Sequence, residues 1–152
     1  MIERIPDMQS RSTAGAGNSA TSTDRKAMLS TLWIFAVLNY IYADVFTAMD
    51  PSPERGSVRM SHGMMLGAAA LMETAMVMVP LSRFLKYRAN RWANIVVGVI
   101  HTLAVIVSIF VGGVMPASYY LLFASVEVVS TSLIVWYAWK WHNVEIRRVA
   151  DL

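Results

Sequence analysis

The sequence predicts an all-α fold, a transmembrane four-helix bundle with both termini on the cytoplasmic side, and three observations carry it. Of the 152 residues, 56% are apolar and 15% charged, against about 25% charged in an average soluble domain. The apolar residues gather into four segments, each near the ~20 residues that cross ~30 Å of hydrocarbon. From Trp92 to Trp139 the sole Asp, Glu, Lys or Arg is Glu127. These figures exclude a soluble enzyme. The absence of cysteine removes disulfides, thiolate nucleophiles and cysteine-ligated metals together. A net charge of +3 needs only basic loops on one side of a membrane, so nucleic acid is not indicated as a partner.

Residues 1–26 differ in character from the remainder of the chain. The stretch Gln9 to Thr23 is serine, threonine, alanine and glycine without an apolar period, so it is expected to be a disordered cytoplasmic tail. It holds no apolar region of a secretory signal. The spans are expected at 27–48, 62–82, 92–114 and 117–139, with a cytoplasmic C-terminal tail at 141–152. Asp24, Ser61 and Asn90 suit helix N-caps. Pro51 and Pro53 break the first connection, and Gly112, Gly113 and Pro116 make the third a tight hairpin. Pro80 is placed to kink the second helix near its end.

Orientation follows from charge. Eleven of the thirteen lysines and arginines fall in the two tails and the second loop; Arg55 and Arg59 alone fall in the first loop, and none in the third. Loops rich in Lys and Arg stay cytoplasmic, which puts both termini inside. An even number of spans requires the same. The aromatics Tyr87, Trp92, Trp136, Trp139 and Trp141 are expected to form an interfacial belt. The setting this implies is a bacterial inner membrane, with the lipid bilayer as the first partner.

Each span carries polar exceptions: Asn39, Tyr40 and Asp44 in the first, Glu73 in the second, Asn94 and His101 in the third, Glu127 in the fourth. A central acid costs roughly 2.5–3.5 kcal/mol on insertion scales, so such groups are expected to face the bundle interior or a wet cavity. At 1.5 Å per residue, Asn39, Glu73, His101 and Glu127 fall within about 3 Å of the bilayer centre, and Asp44 about 10 Å outward. On the third helix Asn94, Gly98, His101, Val105, Ser108 and Gly112 form one narrow stripe. On the second, His62, Ala69, Glu73 and Met76 share a face, and Gly63 with Gly67 make a GxxxG pair for close helix approach. On the fourth, Tyr120, Ala124, Glu127 and Thr131 align. Together these predict a polar interior reached past Asp44, His62 and Tyr120.

Two carboxylates at one depth in low dielectric cannot both ionise cheaply, which makes Glu73 and Glu127 candidate proton or ligand carriers with His101 as their partner. Asp44 and Tyr40 would gate the site. The first reading is a protein that binds a small solute or cation, with proton coupling as in a transporter. A membrane enzyme using the same carboxylates as acid and base on an isoprenoid or other lipid is the second. An accessory or assembly subunit is the third, in which the polar layer only fixes helix register and the GxxxG face binds a partner or a second copy. No cofactor is expected. Six methionines beside His62 would suit Cu(I), but methionine also fills irregular gaps in bundles. His62 and His101 differ too much in depth to share a haem, and zinc lacks a helical HExxH motif, so no metal site is expected.

The string Leu32 to Asp50, LWIFAVLNYIYADVFTAMD, then Pro51 and a glycine- and alanine-rich second span centred on Glu73, resembles an uncharacterised family of small four-span bacterial integral membrane proteins. The resemblance covers about residues 27–140 and implies the four-helix fold without an activity. Four-span multidrug exporters are similar in size but carry their essential glutamate in the first helix, where this chain offers Asp44, displaced outward.

Overall fold

The structure is a computed structural model that describes residues 8–51, 61–111 and 116–141, with side chains described for 22–51, 61–110 and 116–141. Four helices make up the described residues: α1 (Met8–Met49), α2 (His62–Phe84), α3 (Tyr87–Val111) and α4 (Ser118–Trp139). All four are long and apolar enough to cross a membrane, over Ser22–Met49, His62–Phe84, Tyr87–Phe110 and Ser118–Trp139. The chain is a multi-pass membrane protein.

The helices alternate in direction around a ring. α1 packs against α2 and α4, and α3 against α4, while α2 and α3 are the loosest of the four neighbouring pairs. The best-packed interior is a cluster around Trp33 and Leu29, with Ala36, Ala75, Met78 and Ile134 completing it. It lies in the half of the bundle nearer the basic end, where α1 begins its span and α2 ends. The outer surface is apolar in the opposite sense to a soluble protein: Leu66, Phe84 and Phe110 are all more than two-thirds exposed. Such a surface suits hydrocarbon chains and not water.

Polar side chains stitch the basic half together. Trp33 Nε1 donates to Asn94 Oδ1 at 2.8 Å, and Ser82 Oγ donates to the same oxygen at 3.2 Å. The Asn94 amide donates to Asn90 Oδ1 at 2.6 Å, and the Asn90 amide to the Ser82 carbonyl at 2.6 Å. Ser30 Oγ donates to the Val79 carbonyl at 2.9 Å, just before Pro80, and accepts from Arg83 Nε at 3.2 Å. Among the described residues no buried side-chain nitrogen or oxygen lacks a partner, as burial in a medium without water requires.

Several local expectations are corrected. The first helix begins at Met8, not at residue 27, so residues 8–26 are a helical extension and Asp24 lies inside the helix and not at its cap. Once a span has nucleated a helix, each added residue gains a hydrogen bond without a new nucleus, and alanine, arginine and lysine propagate it well. Ser61 does cap α2, accepting from Met64 N at 3.2 Å. Asn90 does not cap α3, which starts at Tyr87. The helix continues through Pro80 to Phe84. Trp92, Trp136 and Trp139 are exposed as a belt requires, but Trp141 is 5% exposed. It packs edge-on against Tyr87, whose hydroxyl donates to the Trp141 carbonyl, because the chain turns back under the bundle after Trp139. Residues 1–7, Pro53, Arg55, Arg59, Gly112, Gly113 and the tail from residue 142 lie outside the described residues.

Candidate functional site

The loose packing of α2 against α3 leaves a cleft of about 180 Å³ in the other half of the bundle. Its depth is set by His101 on α3 and Glu127 on α4, both near mid-span, and its outer end by Asp44, Ser108 and Tyr120, each within a few residues of a helix end. Tyr40 and Asp44 reach it from one face of α1, because residues four apart stack one above the other. α2 contributes Ala68, Leu71 and Met72, and α3 adds Ala104 and Val105. At the mouth, Ser108 Oγ and the Tyr120 hydroxyl hydrogen-bond at 2.7 Å and tie α3 to α4.

His101 is fully buried and held on every side. Its ring stacks on Tyr40, with centroids 5.7 Å apart and planes 10° from parallel, and meets the edge of Trp33 at 5.4 Å. Nδ1 lies 2.8 Å from the Tyr40 hydroxyl and Nε2 lies 3.1 Å from Thr74 Oγ1. The directions of these bonds follow from one fixed end. Thr74 spends its single hydroxyl proton on the Leu71 carbonyl at 2.6 Å, so it accepts from Nε2–H. Nδ1 then carries the lone pair and accepts from the Tyr40 hydroxyl. The Tyr40 oxygen is left as an acceptor beside the Glu127 carboxyl, and a bond between them needs the acid form of Glu127. Such a bond would link proton occupancy at Glu127, through the Tyr40 hydroxyl, to the bonding of His101. Asp44 lines the same cleft as Glu127.

Of the residues singled out in the sequence, the cleft brings together Tyr40, Asp44, His101 and Glu127. Glu73 stands apart. It is exposed, on the side of α2 opposite the buried Ala75, Met78 and Ser82, and does not line the cleft. Asn39 is buried but turns to α4, where its amide donates to the Phe123 carbonyl at 3.0 Å. His62 is exposed at the start of α2 and does not line the cleft. Gly98 packs α3 on α4 so closely that a Cβ there would lie 2.7 Å from Val135 Cγ2. Gly63 and Gly67 are different: a Cβ on Gly67 would meet nothing within 4 Å, and one on Gly63 only Ser61 Oγ at 3.9 Å. Thr74 and Trp33 carry no mark in the sequence. Thr74 follows Glu73 directly but faces the neighbouring helix, and its residue type gives no signal of that.

No three His, Asp or Glu side chains converge to hold a metal among the described residues. No curated protein and no solved structure matches the chain. A family model does, over residues 20–148, which include all four spans and every cleft residue. The chain belongs to that family, DUF6326, a family of unknown function.

Proposed function

We propose that the protein binds a small solute or cation in the cleft between α2 and α3, in exchange with a proton at Glu127. The single observation that carries this reading is the hydrogen-bonded series Thr74, His101 and Tyr40, which reaches the cleft wall where Glu127 also stands. A cation arriving beside Asp44 and Glu127 favours the carboxylate. The Tyr40 hydroxyl can then turn from His101 toward Glu127, so binding, proton release and the state of His101 change together. On this reading the basic end faces the cytoplasm of a bacterial inner membrane, by the distribution of Lys and Arg, and the cleft opens toward the other side.

The test is a stability screen of the purified chain against metal chlorides, alkylammonium salts and neutral polyols. A ligand at 100 times its Kd stabilises the folded state by about 2.7 kcal/mol, a readily measured rise in melting temperature. At least one solute is expected to stabilise the wild type and lose that effect in Glu127→Gln, which keeps the shape of the side chain but cannot titrate. A screen in which no stabilisation depends on Glu127 would sink the proposal.

One observation favours a second reading, in which α2 also docks on another helix: Glu73 and the Gly63/Gly67 pair are exposed, and the two glycines pack on no other helix among the described residues. Bulky residues at both glycines would then break a complex that co-purifies with the wild type.

A further inference from the structure

Resting on the reading of the cleft as a binding site, the geometry points to a small monovalent organic cation, an alkylammonium, as the class of ligand it takes. The charge comes first. Asp44 and Glu127 both line the cleft, and among the described residues no lysine or arginine lines it to neutralise them. An anionic ligand would meet only repulsion there. A cation supplies the missing counter-charge.

The donors then separate an organic cation from a metal ion. Both ring nitrogens of His101 are already engaged, one with Tyr40 and one with Thr74. A metal would have to break that series to gain a nitrogen ligand, and without it the wall offers two carboxyls from different helices. Transition metals and zinc ask for three or four protein ligands, and calcium for six to eight oxygens. No group of three His, Asp or Glu side chains placed to hold a metal exists among the described residues.

The rest of the wall fits hydrocarbon. Leu71, Met72, Ala104 and Val105 present alkyl and thioether surface, which would leave the hydration shell of a bare ion unreplaced but covers methyl groups well. Tyr40 and Tyr120 add aromatic side chains, the residue type that attracts quaternary ammonium groups. Size sets the upper bound. A cleft of about 180 Å³ takes a head the size of tetramethylammonium or choline more readily than one with propyl arms.

The experiment is isothermal titration calorimetry on the full chain in detergent micelles. The probes are tetramethylammonium, choline, tetrapropylammonium, sodium, zinc, and the neutral carbon isostere of choline in which a tert-butyl group replaces trimethylammonium. Tetramethylammonium and choline are expected to bind, and the neutral isostere about tenfold or more weaker, since a desolvated cation contributes through both the carboxylates and the rings. Tetrapropylammonium, sodium and zinc should give no Glu127-dependent heat. Glu127→Gln and Asp44→Asn should each weaken choline about tenfold, and Ala104→Phe, which fills the cleft without touching charge, should abolish binding should either carboxyl variant fail to fold. Equal affinity for choline and its isostere overturns the cationic class while leaving the cleft as the site. Glu127-dependent binding of zinc or sodium in place of choline overturns the organic class in the same way. If no probe loses binding in Glu127→Gln or Ala104→Phe, the cleft reading itself falls.

Discussion

Replacing Asn94 by leucine removes the centre of the network that joins three helices. Asn94 Oδ1 accepts from Trp33 on α1 and from Ser82 on α2, and its amide donates to Asn90 Oδ1 and to the Asn90 carbonyl on its own helix. Leucine keeps the volume to within a small change and loses all four bonds. Interhelical hydrogen bonds in membranes contribute about 0.6 kcal/mol on average and about 1.7 at most. The two that cross between helices thus set a range of about 1 to 3 kcal/mol. The loss should fall in its upper half, because the Trp33 ring is fully buried and its N–H would be left in a dry interior, where an orphaned donor costs roughly 1–3 kcal/mol. Unfolding in mixed micelles by titration with a denaturing detergent, followed by tryptophan fluorescence, measures the change. A double-mutant cycle with Trp33→Phe should give a coupling of about 0.6–1.7 kcal/mol. Asn94→Leu within about 0.3 kcal/mol of wild type, or a coupling of zero, would refute the reasoning, since neither is compatible with a bond in this position.

The two kinds of glycine should answer alanine with opposite signs. Gly98→Ala sets a methyl 2.7 Å from Val135, an overpacking that costs about 1–3 kcal/mol, whereas Gly67→Ala meets nothing and gains up to about 1 kcal/mol of helix propensity; the same detergent titration separates them. Tyr40→Phe keeps the stacking on His101 and should cost only about 0.6 kcal/mol, yet calorimetry in buffers of different ionisation enthalpy should show the proton released on choline binding fall away. Glu73→Leu, outside the cleft, should leave choline affinity unchanged and favour membrane insertion by about 3 kcal/mol, read as the fraction of chain inserted in a translocation assay.

The fold was legible because a bilayer makes composition and length nearly sufficient. Four apolar segments of the right length give four helices, of which α2 and α4 begin within a residue of expectation while α1 and α3 start earlier. The interior face of α3 was legible as well: Asn94, Gly98, His101 and Val105 repeat at helical spacing and all four are buried. α2 was not, for a physical reason. In a soluble helix the outer face is polar and marks itself, but lipid is as apolar as a core, so the two faces of a span read alike. His62, Ala69 and Glu73 do share a face, and it is the outer one. The inner face is Ala75, Met78 and Ser82, whose only polar signal is a serine. Depth arithmetic sets Glu73 and Glu127 at one level, but depth says nothing of azimuth, and azimuth decides which acid meets His101. The outward position of Trp141 was likewise read from residue type, while its burial depends on a turn that no periodicity announces.

The division of the bundle into two halves bears on function more than any one residue does. In the basic half the polar groups are matched within the chain, from Ser30 and Trp33 through Ser82 to Asn90 and Asn94, and α1, α2 and α3 are locked to one another there. In the other half α2 leans free: residues 62–70 are exposed at every position, which no helix packed on a neighbour along one face can show. A bundle that needed only to be stable would continue the matched packing to both ends. Here the buried polar series stops at His101 and Tyr40, and beyond it the wall carries Asp44 and Glu127 with no lysine or arginine among the described residues lining it. Binding sites are drawn from the less stable end of a fold because they must open. A locked half that fixes His101 and Tyr40, joined to a loose half that admits a ligand to Glu127, is the arrangement expected if α2 closes on a cation. It is not the arrangement expected if the polar layer only fixed helix register, because register is already fixed by the Asn94 network in the basic half.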